Sequence, residues 1–316
     1  MTPKYSIAII GIYFGKLPDY FDLWLASCGC NKNYEWLVFT DADCSGYEVP
    51  FNVHVHALSL AEFSRIASDA LSLNIDIDTP YKVCDLRPAY WMLLPISGRT
   101  YDFWGHCDLD MVFGRLDGFI TDEILENNDK IFSVGHLTLY RNSDEANLMF
   151  KRPHEALDWK EIMSDPKHRG FDEHIGVNRI WALHGGRVFE NEAIIADLDP
   201  HVRRMELLDP AMNRREQIFY VDNGRVYQGY FGSDGAWVAN EFMYAHFQKR
   251  KMARRDCPPY ATSYVLAKDG FCALPAIPPT REFIASRNGF RIKDYFLEFR
   301  YRARRFARFS LNKAGK

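Results

Sequence analysis

Short apolar runs and helix-spaced apolar positions take turns along the first hundred residues. Tyr5 to Ile12 is a β-branched run, Tyr13-Phe14-Gly15-Lys16-Leu17-Pro18 has loop composition, and Asp19 to Cys28 carries apolar residues at helical spacing. Trp36-Leu37-Val38-Phe39-Thr40 is a second buried run, closed by Asp41-Ala42-Asp43, and Val53 to Leu58 is a third. Leu60 to Ala70 places Ala61, Phe63, Ile66, Ala67 and Ala70 on one helical face. This β-α-β order predicts an α/β fold with a Rossmann-like, mainly parallel sheet flanked by helices. After Tyr81-Lys82-Val83-Cys84-Asp85-Leu86-Arg87-Pro88 the pattern predicts a helix over Ala89 to Leu94, then an aromatic strand, Tyr101 to Cys107, that delivers Asp108. Ligands of open α/β sheets gather beyond the carboxyl ends of strands, so the Asp41 and Asp108 loops are expected side by side.

Farther on, Asp129 to Ser133 and Gly135 to Tyr140 read as strands, and Pro166 to Gly170 as a loop leading into Phe171-Asp172-Glu173-His174. Leu207 to Tyr230 reads as strands turning at Asp222-Asn223-Gly224. Proline density rises between Cys257 and Pro279, which divides the chain into a domain over 1–255 and an extension over 256–316. From Asp294 to Phe309, aromatics alternate with five arginines. A basic amphipathic helix of this kind suits an anionic membrane surface; alternatively, it packs its aromatic face on the domain and leaves the arginines in solvent.

The chain has 316 residues, 47% hydrophobic and 26% charged, enough to bury a large core. Its net charge of -3 conceals the basic tail on an otherwise acidic body, which with the lack of a recognition motif argues against nucleic-acid binding. Seven cysteines form an odd set without CxxC spacing, the signature of free thiols in a reducing cytoplasm. Cys28-Gly29-Cys30 closes a zinc site poorly and reads better as buried. Ile7 to Ile10 is too short for a signal sequence, and no apolar run is long enough to span a membrane.

Asp-x-Asp occurs four times: Asp41-Ala42-Asp43, Asp76-Ile77-Asp78, Asp108-Leu109-Asp110 and Asp197-Leu198-Asp199. About one is expected by chance at ordinary composition, so context decides. Asp76-Asp78 and Asp197-Asp199 precede proline turns and read as structural. Asp108 and Asp110 interrupt a segment that otherwise wants burial, and unpaired buried carboxylates are costly unless a cation neutralises them. Alternation along an extended strand points both to one side, offering hard oxygens to Mg²⁺ or Mn²⁺. Alternatively, they cap or salt-bridge at a strand end. Lys82 and Arg87 are upstream cations able to meet an anionic ligand. Asp172 and Glu173 suit acceptor binding or general-base work, or form an acidic pair at a helix N-terminus.

Six motifs in order carry a resemblance: Ile9-Ile10-Gly11-Ile12-Tyr13-Phe14-Gly15, Phe39-Thr40-Asp41, Tyr81 through Tyr90, Phe103 through Asp110, Gly135-His136-Leu137-Thr138-Leu139-Tyr140-Arg141-Asn142 and His246-Phe247-Gln248-Lys249-Arg250-Lys251-Met252. Over about residues 5 to 255 the chain resembles a bacterial family, DUF6625, connected with polysaccharide biosynthesis and similar to GT-A glycosyltransferases. The resemblance implies a GT-A fold, a UDP-sugar donor, UDP-galactose by family analogy, and Mn²⁺ or Mg²⁺ bridging its diphosphate to Asp108 and Asp110. It further implies that Tyr13, Phe14 and Gly15 line the nucleotide, that Thr40 and Asp41 touch its base or ribose, that His246 completes the metal site and that Lys249 lies near the diphosphate. The implied acceptor is a glycan, lipid-linked at the inner face of the cytoplasmic membrane. Competing readings are a metal-dependent nucleotidyltransferase or hydrolase, disfavoured by the absence of a Gly-rich phosphate loop, and a non-catalytic nucleotide or glycan binder.

Overall fold

β-branched and aromatic runs become strands where the pattern places them, and long-range pairing decides how they are ordered. The computed structural model describes residues 4–94, 100–289 and Phe299; apart from Phe299, the expected basic helix lies outside the described residues. The chain divides into two compact units. The first comprises Met1–Phe21, Cys28–Leu109 and Asp117–Glu192, and the second Asp22–Ser27, Asp110–Leu116 and Ala193–Lys316.

In the first unit, β1 (Ile7–Tyr13), β2 (Tyr34–Thr40), β3 (Val53–Ala57) and β4 (Phe103–Cys107) run parallel. β5 (Met111–Phe113) belongs to the second unit. β6 (Lys130–Val134), β7 (Leu137–Arg141) and β8 (Val188–Phe189) complete a seven-stranded sheet in the order β3-β2-β1-β4-β7-β6-β8, with β7 antiparallel to both neighbours. The result is a mixed α/β architecture with a parallel, Rossmann-like half.

Helix Leu60–Leu71 follows the expected span, and its start is fixed by a capping box in which Ser59 and Glu62 satisfy each other's backbone N–H groups. Its Phe63 joins Trp104, Tyr140, Trp181 and Tyr90 in the core. Trp104 stacks on Tyr140 with ring centroids 4.7 Å apart and on Trp91 at 6.3 Å, contacts worth about 0.5–1.5 kcal/mol each beyond area burial.

The helix expected over Ala89 to Leu94 is present as one α-turn, Tyr90–Leu93, and a 3-10 run, Pro80–Ala89, precedes it. Pro88 lacks an N–H and disfavours α geometry in the residue before it, so an ordinary helix cannot pass through. Three residues per turn also place side chains three apart on one side. Lys82 and Asp85 consequently form a fully buried ion pair at 2.9 Å.

The second unit holds a three-stranded sheet, in the order β5-β13-β9, and a six-stranded one. Its strands are β9 (Ile195–Asp197), β10 (Gln217–Asp222), β11 (Arg225–Phe231), β12 (Trp237–Phe242), β13 (Tyr244–His246), β14 (Ala253–Arg254), β15 (Tyr264–Ala267) and β16 (Gly270–Ala273). The β10–β11 turn has Asn223 and Gly224 both at positive φ, as a two-residue hairpin turn with right-handed strands requires. The proline-rich stretch supplies β15 and β16, and β15 pairs with β10. Helix Arg281–Asn288 buries Ile284 against Ile218, Tyr220 and Val265.

All seven cysteines are free, and Cys28 is buried while Cys30 is exposed. Among the described residues no helix is long and apolar enough to cross a membrane.

Candidate metal and nucleotide site

The carboxyl ends of β2, β1 and β4 share one edge of the first unit's sheet, with Tyr13 opposite Thr40 and Gly11 opposite Cys107. The Asp41 and Asp108 loops therefore leave the same sheet edge on either side of the β1 loop, because β1 lies between β2 and β4. Gly15 sits at φ +95°, a conformation that costs other residues strain, and its N–H donates to Asp41 Oδ1 at 2.7 Å. The two loops so joined border an open cleft of about 490 Å³ lined by Gly15, Lys16, Leu17, Asp41, Asp43 and Tyr47.

The other residues expected here have structural duties. Phe14 is buried in the core against Phe63, and Thr40, 1% exposed, accepts from the Ala42 N–H at 3.1 Å and shapes the turn. Lys16 and Tyr47 line the cleft without having been singled out by pattern, since a loop lysine and a lone tyrosine carry no periodicity.

At the end of β4, the Asp108 N–H donates to the His136 carbonyl at 3.0 Å. Arg87 gathers the surrounding groups. Its Nη2 donates to Asp108 Oδ1, and its Nη1 donates to Asp172 Oδ2 at 2.7 Å and to the Gly135 carbonyl at 2.6 Å. Burial disfavours the guanidinium charge, but the Asp108 carboxylate, with Cys84 and Asp172, outweighs it and raises the Arg87 pKa well above its ordinary value. Burial likewise opposes ionisation of Asp172, yet Arg87 and His168 hold its pKa below the usual carboxylate value. Asp172, 3% exposed, is thus a counterion, whereas Glu173 is exposed. The pair lies in a turn ahead of helix Val177–Leu183 and not in its first turn. Gly135 lets Arg87, Asp172 and Glu173 converge, since an added Cβ would stand 3.2 Å from Asp172 Oδ2 and 3.4 Å from Glu173 Cγ.

Around this knot, four buried polar atoms have no hydrogen-bond partner among the described residues: Asp172 Oδ1, His106 Nδ1, Tyr140 Oη and His168 Nε2, of which the first and last face each other at 3.9 Å. Burial, then Arg87, drives the His106 pKa well below its ordinary value, so the ring is neutral. Its Nε2 lies 3.1 Å from the Gly135 carbonyl, which only accepts, so Nε2 carries the proton. Orphaned atoms of this kind are positions for ordered water.

Lys82 does not reach the site edge. Its three ammonium protons are spent on Asp85 Oδ2, the Ile162 carbonyl and the Lys167 carbonyl. Asp85, His168 and Asp172 bring one ligand atom each within 4.8 Å of the others. Asp85 already accepts from Lys82, Arg169 N and Phe171 N, so its own oxygens are spent within the protein. The cluster's His168 is raised in pKa, chiefly by Asp172, and packs against the half-exposed Tyr81 ring at 4.3 Å.

Leu109 and Asp110 form a bend, not the extended segment expected, and Leu109 is buried. The bend, and not strand alternation, presents the two carboxylates, and here the chain passes into the second unit. There Asp110 immediately precedes β5, and its carbonyl accepts from Phe247 N at 3.0 Å. β13 runs between β5 and β9, placing His246 opposite Met111 on one side and Asp197 on the other. The His246 ring consequently has Nδ1 2.8 Å from Asp197 Oδ1 and Nε2 3.5 Å from Asp110 Oδ1. Gln248 Nε2 donates to the same Asp197 oxygen at 2.8 Å. Burial opposes a charge on His246, but hydrogen bonds to Asp110 and Asp197 raise its pKa to about 10.

Asp197, set aside in the sequence as structural, is the partner of the His246 ring. Its signal was faint: it ends a short strand, and only the β9–β13 register brings it to His246. Asp199 is structural as expected, accepting from His201 N at 2.8 Å. Lys249 is exposed in the turn after β13, whereas Arg250 is committed to the Asp199, Val202, Arg203 and Arg204 carbonyls.

The donor set fits a divalent cation. A carboxylate clamps one imidazole nitrogen and turns the other toward Asp110, the arrangement that orients histidine ligands in metal sites. Mixed imidazole and carboxylate donors favour Mn²⁺ over Mg²⁺, which prefers oxygen alone.

No curated protein matches the chain. The family model DUF6625, described as a family of unknown function, matches residues 9–275, from within β1 to beyond β16. The span takes in the Gly15–Asp41 cleft, the Arg87 knot and the Asp110–His246–Asp197 cluster, and the chain belongs to the DUF6625 family.

Proposed function

We propose that this protein is a metal-dependent glycosyltransferase of GT-A type. It transfers a sugar, galactose by family analogy, from a UDP-sugar to a glycan acceptor of bacterial cell-surface polysaccharide. The observation that carries the reading is His246, buried and oriented by Asp197 so that Nε2 faces Asp110, in the loop that Asp108 begins. Asp108 and Asp110 hold the cation, and in the second unit His246 is turned toward Asp110. The Gly15–Asp41 cleft takes the nucleoside, with Lys16 beside it.

A divalent cation there neutralises charge that grows on the UDP leaving group as the glycosidic bond breaks. The chain's own residues do the rest. Arg87 is a fixed positive group at the carboxyl edge, and the Gly15 N–H holds Asp41 in its cleft-lining position. Lys249, exposed in the turn after His246, adds a positive charge toward phosphate. Of the two acids in the turn, Glu173 reaches solvent, where it accepts an acceptor hydroxyl's proton, while Asp172 keeps Arg87 in place. The protein works at the inner face of the cytoplasmic membrane, where a lipid-linked acceptor is presented.

Calorimetric titration of UDP-galactose and other UDP-sugars with and without Mn²⁺ tests the reading. Donor binding should need the metal and should be lost in an Asp108→Ala, Asp110→Ala variant. Equal binding by that variant would sink the metal role, and donor hydrolysis without transfer to any glycan would point to a hydrolase.

A further inference from the structure

Arg87 Nη2 bonds the Asp108 oxygen that faces the guanidinium, at a carboxylate only partly exposed. The same guanidinium is fixed at its other arm by Asp172 and the Gly135 carbonyl, and is itself 8% exposed. Arg87 thus sets a +1 charge against one of the two Asp108 oxygens, where it competes with a cation for that carboxylate. A divalent ion and a guanidinium cannot share one carboxylate oxygen at contact distance without strong repulsion. The anchored arm prevents Arg87 from swinging away, because leaving would strand Asp172 as an unpaired buried charge.

We propose that Arg87 is a placeholder at Asp108. The incoming cation displaces only Nη2, and the freed N–H donors, held at the sheet edge by the Asp172 and Gly135 bonds, become a ligand for a phosphoryl oxygen. Cation and diphosphate then bind with positive coupling, each helping the other: the metal exposes the guanidinium, and the phosphate accepts it. This rests on the reading of Asp108 as a metal ligand and deepens it. No bond is made or broken beyond hydrogen bonds and coordination.

The test uses Mn²⁺ alone, UDP alone and both together, titrated into the full-length protein by calorimetry and by the EPR signal of free Mn²⁺. Arg87→Gln should bind Mn²⁺ alone about tenfold more tightly than the parent, because the competing charge is gone. It should also lose most of the gain in UDP affinity that Mn²⁺ confers on the parent. The double variant Arg87→Gln, Asp172→Asn, which leaves no buried carboxylate unpaired, should behave alike and serves if the single variant does not fold. Parent protein that binds Mn²⁺ no less tightly than a folded variant overturns the placeholder role and leaves the metal site standing. Absence of Mn²⁺ binding in parent and variants alike overturns both.

Discussion

Lys130 offers the sharpest quantitative test of how this core is built. It lies on β6, wholly buried, with its ammonium over the rings of Tyr140 at 5.5 Å and Trp181 at 5.6 Å and its proton given to Asn178 Oδ1. No carboxylate pairs with it. Burial, only partly offset by Glu190 and Asp172, lowers its pKa from 10.5 to about 7. Each unit is worth about 1.4 kcal/mol, so the buried charge costs about 5 kcal/mol relative to a neutral lysine. The folded pKa lies below the unfolded one, so the unfolded chain binds more protons between the two. Stability contributed by this site is therefore full above about 10.5 and is lost as pH falls to about 7. Lys130→Met removes the titration. The orphaned Asn178 oxygen and an imperfect fit subtract about 1–3 kcal/mol, which leaves a net gain of a few kcal/mol near neutrality. Urea unfolding of parent and variant at several values between pH 6.5 and 10 is the assay. The parent's stability should rise across this range relative to the variant's. Parallel curves would show that the amine keeps its charge inside the fold, and the reasoning would fail.

Two further outcomes concern the site. Asp197→Asn can no longer fix the His246 ring as a carboxylate does, so Mn²⁺ affinity, read by calorimetry, should fall about 10- to 100-fold with little change in thermal stability; unchanged affinity would return Asp197 to a structural role. Glu173→Gln and Asp172→Asn should separate cleanly. The exposed Glu173→Gln should leave stability within about 0.5 kcal/mol while lowering transfer about 10²- to 10⁴-fold, whereas Asp172→Asn should destabilise by about 3–5 kcal/mol because Arg87 loses its buried counterion. Equal melting temperatures for the two, or full transfer by Glu173→Gln, would refute the division of roles.

Local pattern reached the strands and the loops of the candidate site, because burial at β1, β2 and β4 is written as continuous apolar runs and their loops as polar interruptions. Three features escaped, each for a physical reason. Phe14 looks like a loop aromatic, but one residue's rotation at the end of β1 decides whether it faces the cleft or Phe63, and sequence does not specify it. Lys82 looks like a free cation, yet a 3-10 geometry enforced near Pro88 brings Asp85 beneath it, and two carbonyls some eighty residues away take its remaining protons. Asp197 looks like one chance aspartate among four until a parallel register between two three-residue strands sets it against His246. A charged side chain's role here depends on whether its donors or lone pairs are already spent. Lys82 is saturated by the protein, Arg250 is committed to four carbonyls and Asp172 is half spent on Arg87, whereas His246 Nε2 faces Asp110 Oδ1 across 3.5 Å. That difference, invisible in a list of residue types, is the physical ground for placing the chemistry at the bend after β4.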